Sequence, residues 1–128
     1  MSVMSDTASH STESSASTAS TDYKSMREFW PFYVREHANP INRALHFVGT
    51  TGVILSVGAA VVTGNPWLLA LAPLSGYGCA WIGHFIVEKN RPATFKYPLY
   101  SLASDFVMYA KTWRGQMGRE VAAATAGR

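Results

Sequence analysis

Between Ala44 and Val87 the chain contains no Lys, Arg, Asp or Glu, a charge-free run of 44 residues with a histidine just inside each end, His46 and His84. Other absences are as informative. The single cysteine, Cys79, excludes an internal disulfide framework, and its place between Gly78 and Ala80 suits a small buried apolar residue better than a nucleophile. Residues 1–22 have no basic stretch leading into an apolar one, so they do not form a signal peptide. They are rich in Ser, Thr and Ala and too polar to fold alone, which predicts a disordered tail with His10 as a bystander. No internal repeat is present, and no paired-cysteine or zincin-type spacing. What remains is one domain over residues 23–115 and a frayed Ala-rich end over 116–128.

The breaker cluster Thr63-Gly64-Asn65-Pro66 divides the charge-free run into two apolar segments, about 41 to 62 and 66 to 87. Each is long enough to cross the ~30 Å hydrocarbon layer as a helix. His46 lies 18 residues before Gly64 and His84 lies 19 after Asn65, so folding at the turn brings both imidazoles to one membrane face at nearly one depth. Titratable groups at such a position are costly and mark function.

The net charge of +3 follows the same division. Arg27, Arg35 and Arg43 precede the hairpin, Lys89, Arg91, Lys96, Lys111, Arg114 and Arg119 follow it, and the turn carries no basic residue. The positive-inside rule then puts both termini in the cytoplasm. Attraction to anionic lipid accounts for the basic residues without a nucleic-acid partner.

Residues 23–36 interleave aromatic and charged side chains and predict an interfacial helix, with Pro31 starting or kinking it. Asn39-Pro40 predicts a turn or a new helix start, and Pro73 a kink in the second span. Leu99, Leu102, Phe106, Tyr109 and Trp113 recur at three- and four-residue intervals and predict a third, interfacial helix, with Ser101, Ser104, Asp105 and Lys111 on its more polar sides. The fold class is therefore all-α: a small membrane-embedded bundle with a two-span hairpin and interfacial helices at its N- and C-terminal sides.

Small residues indicate how the spans meet. On the first, Gly49, Gly52, Ser56 and Ala60 continue a face begun by Asn42 and His46; on the second, Ala72, Gly76 and Ala80 lead in four-residue steps to His84 and Glu88. If these faces pack together, His46 and His84 converge beside Glu88, with His37 close enough to fold over them. Taken singly, each residue has a plainer reading: a histidine bonded to a backbone carbonyl, a turn residue, an exposed carboxylate paired with Arg91. Together, three imidazoles and a carboxylate make a transition-metal ligand set.

Two blocks carry a resemblance. Phe32-Tyr33-Val34-Arg35-Glu36-His37-Ala38-Asn39-Pro40 with Asn42-Arg43-Ala44-Leu45-His46-Phe47-Val48-Gly49-Thr50 is the first. Gly83-His84-Phe85-Ile86-Val87-Glu88-Lys89-Asn90-Arg91-Pro92-Ala93-Thr94-Phe95, then Pro98-Leu99-Tyr100-Ser101 and Asp105, is the second. The chain resembles the membrane 2-hydroxy fatty acid dioxygenases, whose best understood member acts in fungal phytosphingosine alpha-oxidation. The resemblance implies an Fe(II) enzyme that uses O₂ to cleave C1–C2 of a 2-hydroxy fatty acid, releasing CO₂ and an acid one carbon shorter. It carries the iron ligands over to His37, His46 and His84. Glu88 becomes a ligand or orienter, Asp105 an orienter of an imidazole, Asn42 a supporting residue, and Arg91 or Lys96 a guide for the substrate carboxylate. The host membrane would be a cell inner membrane or the endoplasmic reticulum. Four histidines, one of them in the tail, are too few for a histidine-box di-iron enzyme. A transporter would need several copies to enclose a path, and a homo-oligomer stays open. The competing class is a non-catalytic membrane lipid-binding or adaptor protein in which the polar stripe only sets helix packing.

Overall fold

The computed structural model describes residues 22–126; residues 1–21 and 127–128, and with them His10 and nearly all of the stretch read as a tail, lie outside it. Helices and turns account for the described residues, with no strand among them. Helix α1 (Met26–Arg35) opens on Ser25, whose hydroxyl accepts from the Glu28 N–H at 3.2 Å, and accommodates Pro31. Its buried residues Phe29, Tyr33 and Val34 form one stripe at helical spacing.

Helix α2 (Pro40–Thr63) starts at the Asn39-Pro40 step: Asn39 Oδ1 accepts from the Ile41 N–H at 2.8 Å, and Pro40 occupies the first turn, where its missing N–H costs nothing. It ends at Gly64, whose φ of +71° is the left-handed geometry that closes helices and that a side chain would oppose. Helix α3 (Pro66–Glu88) runs back in three parts: a 3₁₀ turn Pro66–Ala70, an α-helix Leu71–Trp81 and a π-helical segment Ile82–Glu88. Both α2 and α3 are long and apolar enough to cross a membrane, and few of their residues are buried.

The spans touch through small residues, as expected, with Gly76 of the expected stripe joined in the seam by Ser75 and Cys79. A Cβ on Gly49 would stand 3.0 Å from both the Ser75 carbonyl oxygen and Cys79 Cβ, and one on Gly52 would stand 2.0 Å from Ser75 Oγ. Ser75 Oγ also donates to the Gly49 carbonyl at 3.1 Å. Ala72, Gly76 and Ala80 face a cavity beside that seam.

A 3₁₀ turn, Ala93–Phe95, leads into helix α4 (Pro98–Trp113), and helix α5 (Met117–Thr125) follows. The apolar stripe of α4 faces outward, as an interfacial helix allows: Leu99 and Trp113 are 78% and 70% exposed, while Ser101, Ser104 and Met108 are buried. Outward apolar side chains suit a hydrocarbon medium, and inward serines allow close helix approach. The end read as frayed contains α5, held by buried Met117, by Glu120 Oε1 accepting from Trp30 Nε1–H at 2.7 Å, and by the Lys111–Glu120 ion pair at 3.3 Å. α1, α4, α5 and the Ala93 turn enclose one core around Phe29, Tyr33, Val34, Met108 and Met117.

Candidate metal centre

His37, His46 and His84 come together, buried, with one ring nitrogen of each within 4.8 Å of the others. They arrive from three directions. His37 follows the last turn of α1, and its backbone is pinned by Arg43 Nη1, which donates to the carbonyls of His37 at 2.9 Å and Ala38 at 2.7 Å. His46 lies one turn into α2. His84 lies in the π-helical segment, and the widened turn has a purpose there. Residues four apart on an α-helix drift by about 40° per step, so a regular α-helix would wind His84 away from the face of Ala72, Gly76 and Ala80. The looser winding keeps all four on the cavity wall.

The Nδ1 atoms fix the tautomers. His37 Nδ1 pairs with the Tyr33 carbonyl at 2.6 Å, His46 Nδ1 with the Asn42 carbonyl at 2.9 Å, and His84 Nδ1 with Asn90 Oδ1 at 2.7 Å. These oxygens only accept, so each Nδ1 carries the proton and each Nε2 presents a lone pair. His37 Nε2 and His46 Nε2 then stand 3.2 Å apart with no proton between them. Facing lone pairs repel unless a cation lies between them. Metal–imidazole bonds of about 2.0–2.1 Å accommodate two nitrogens at this separation. Burial holds His37 well below the usual imidazole pKa, and His46 and His84 push in the same direction, so it is a neutral ligand near pH 7. The donor set fits a transition metal and, with three ligands, leaves positions free for other molecules.

The histidines form one end of a cavity of about 190 Å³. Thr50, Ser101 and Asp105 are further polar residues of its lining, and Val53, Pro73, Gly76, Ala80 and Leu102 are among its apolar walls. Tyr77, Trp81, Leu102 and Phe106 both line it and are exposed, which puts its mouth between α3 and α4.

The family model described as 2-hydroxy-palmitic acid dioxygenase Mpo1-like matches residues 23–117. The chain belongs to the Mpo1-like family. No curated protein and no solved structure matches it. The matched span takes in all three histidines of this Mpo1-like chain and every helix except most of α5.

The other expected site residues fall in different places. Glu88 is not in the ligand group: its Oε1 accepts from the Asn39 N–H at 2.6 Å and from Asn42 Nδ2 at 3.4 Å, where a carboxylate satisfies the open donors of the α2 N-terminus. Asn42 is fully buried and supports the centre through the carbonyl that holds His46. It is wedged against Gly83, where a Cβ would meet its Oδ1 at 1.9 Å. Asp105 lines the cavity but bonds the Tyr33 hydroxyl rather than an imidazole. Burial raises the Asp105 carboxyl, and the Tyr33 hydrogen bond opposes that rise. Burial, reinforced by Asp105, raises the Tyr33 phenol, which stays the proton donor. Arg91 is exposed and lies off the cavity wall; Lys96 pairs with Asp22 at 3.3 Å on the surface.

Two supporting residues had no role in the sequence reading. Tyr33 offers its carbonyl to His37 and stacks on that ring at 4.0 Å. Asn90 holds His84 and donates to the Glu36 carbonyl at 3.0 Å, tying the end of α3 to the end of α1. The spacing Tyr33–His37 and Asn42–His46, four residues each, was the available signal for the carbonyl partners.

Proposed function

We propose that this protein is an Fe(II)-dependent dioxygenase of 2-hydroxy fatty acids, embedded in a membrane with both termini on the cytoplasmic side. The observation that carries this reading is three Nε2 lone pairs converging at one end of a cavity whose remaining walls are mostly apolar, in a chain of the Mpo1-like family. His37, His46 and His84 hold the iron. Bound Fe(II) supplies activation of O₂ beside the C1–C2 bond of the substrate. One 2-hydroxy acid and one O₂ give the acid one carbon shorter, CO₂ and H₂O.

The protein's own residues orient and enclose. Tyr33, Asn42 and Asn90 keep the three imidazoles in the ligating tautomer, and Glu88 holds the start of α2 so that His46 stays in register. The apolar walls exclude water from the reacting end. At about 190 Å³ the cavity is smaller than the roughly 300–1,000 Å³ of pockets that enclose a whole drug-sized ligand. It takes the head and first carbons of the acid, and the rest of the chain leaves through the mouth between α3 and α4 into lipid.

The test is product analysis by mass spectrometry after the detergent-purified protein is incubated with Fe(II), air and 2-hydroxyhexadecanoic acid. The expected product is pentadecanoic acid, lost when oxygen or iron is withheld. Iron-loaded, folded protein that forms no shorter acid would move a non-catalytic lipid-binding role to the front.

A further inference from the structure

Ser101 is 4% exposed, lines the cavity, and its hydroxyl has no hydrogen-bond partner among the described residues. That is unusual within this molecule. The helical hydroxyls of Thr51, Ser56, Thr63, Thr112 and Thr125 each donate to the carbonyl one turn back. The corresponding carbonyl for Ser101 is that of Tyr97, which accepts the Ser101 backbone N–H at 2.9 Å. A buried hydroxyl left without a partner is costly, so a polar donor kept free on the wall of a cavity awaits something that fills it.

The rest of the wall indicates what that is. Among the described residues no Lys or Arg lines the cavity, so apart from the iron a carboxylate entering it meets no fixed cation. Asp105, one turn further along α4, already accepts from Tyr33, and all three imidazoles have their N–H groups engaged. Ser101 carries the one fully buried hydroxyl on that wall left without a partner among the described residues.

We propose that Ser101 anchors the carboxylate of the acyl ligand, its O–H donating to a carboxylate oxygen in the cavity. This rests on the dioxygenase reading and adds a head-group contact to it. A neutral hydroxyl holds the acid by direction rather than by charge, and it distinguishes an acid head from an uncharged one.

The test is equilibrium binding to the full-length, Fe(II)-loaded protein under anaerobic conditions, where nothing turns over. Two ligands of equal length are compared, 2-hydroxyhexadecanoic acid and hexadecane-1,2-diol, which keeps the 2-hydroxyl and lacks the carboxylate. Ser101→Ala should bind the acid about tenfold more weakly, bind the diol as the wild type does, and retain its iron; Ser101→Thr, which keeps a hydroxyl, should recover acid binding. Equal acid affinity in Ser101→Ala and wild type overturns the assignment and means the hydroxyl turns back to the Tyr97 carbonyl. A loss of the same size for acid and diol overturns it as well, because the contact would then be with the 2-hydroxyl. Wild-type protein that binds neither ligand while holding iron would instead remove the dioxygenase reading on which the proposal stands.

Discussion

The hairpin of α2 and α3 and the cluster of α1, α4 and α5 solve the packing problem in opposite ways. The hairpin turns large apolar side chains outward, Val61, Val62 and Leu74 at 76%, 86% and 70% exposed, and joins its helices through glycine and serine. The cluster turns Phe29, Tyr33, Val34 and Met108 inward, like the core of a soluble domain. Where hydrocarbon is the medium, burying a leucine gains nothing, so close backbone approach and side-chain hydrogen bonds hold helices together. Where water is the medium, burial of apolar area does so. The candidate metal site lies on the seam between the two: His46 and His84 belong to the hairpin, His37 to the cluster, and Asn90 bonds both His84 and the end of α1.

The strongest way to break this arrangement is to remove what joins the halves. His46→Ala or His84→Ala should abolish iron retention and activity while leaving membrane insertion intact, as read by metal analysis of purified protein and carbonate extraction of membranes. Iron content equal to wild type in both variants would contradict the site. Weaker damage is expected from Asn90→Ala, which frees His84 to rotate without removing a ligand. Loss of an orienting partner typically lowers metal affinity about 10- to 100-fold, measurable by chelator competition, with helix content unchanged by circular dichroism.

The two packing modes can be separated by enlarging a glycine. Gly52→Val pushes a side chain into Ser75 and should force α2 and α3 apart, at about 1–3 kcal/mol for overpacking. Gly58→Val sits on the same helix with nothing within 4 Å of its Cβ and should leave thermal stability near wild type. Similar thermal midpoints for both would show that the seam is not the tight one described.

The smallest effect belongs to the ion pair between α4 and α5. Glu120 is held below its usual carboxyl pKa by the Trp30 hydrogen bond and by Lys111. A depressed folded pKa contributes stability above the unfolded value and loses it as pH falls through the folded one. Glu120→Gln should therefore cost about 1 kcal/mol or less at pH 7, with the difference from wild type shrinking below pH 4.5 in thermal melts.

Much of the hairpin was legible because it rests on short-range chemistry: a charge-free run of 44 residues, a Gly-Asn-Pro break, and an Asn-Pro helix start. The meeting of His46 and His84 was legible from near-equal spacing about the turn, with His37 placed close enough to fold over them. Asn90 was not, because it acts across the chain, on Glu36 at 54 residues' separation. Glu88 was placed at the right end of α3 as a ligand or an orienter, and the choice was not legible, since whether a carboxylate meets a metal or a helix N-terminus depends on how the two helix ends overlap.

For α4 the sequence determined that one face is apolar and the other small and polar, because helical periodicity is a property of the chain alone. It did not determine which face turns inward. Only the tertiary structure, by setting α4 between the cluster and the cavity mouth, put Ser101 and Asp105 on the wall of the cavity that the histidines also line. The types of side chain available for the site are thus written along the chain. Their convergence comes from three helix ends meeting, held by hydrogen bonds whose partners are far apart in sequence and adjacent only after folding.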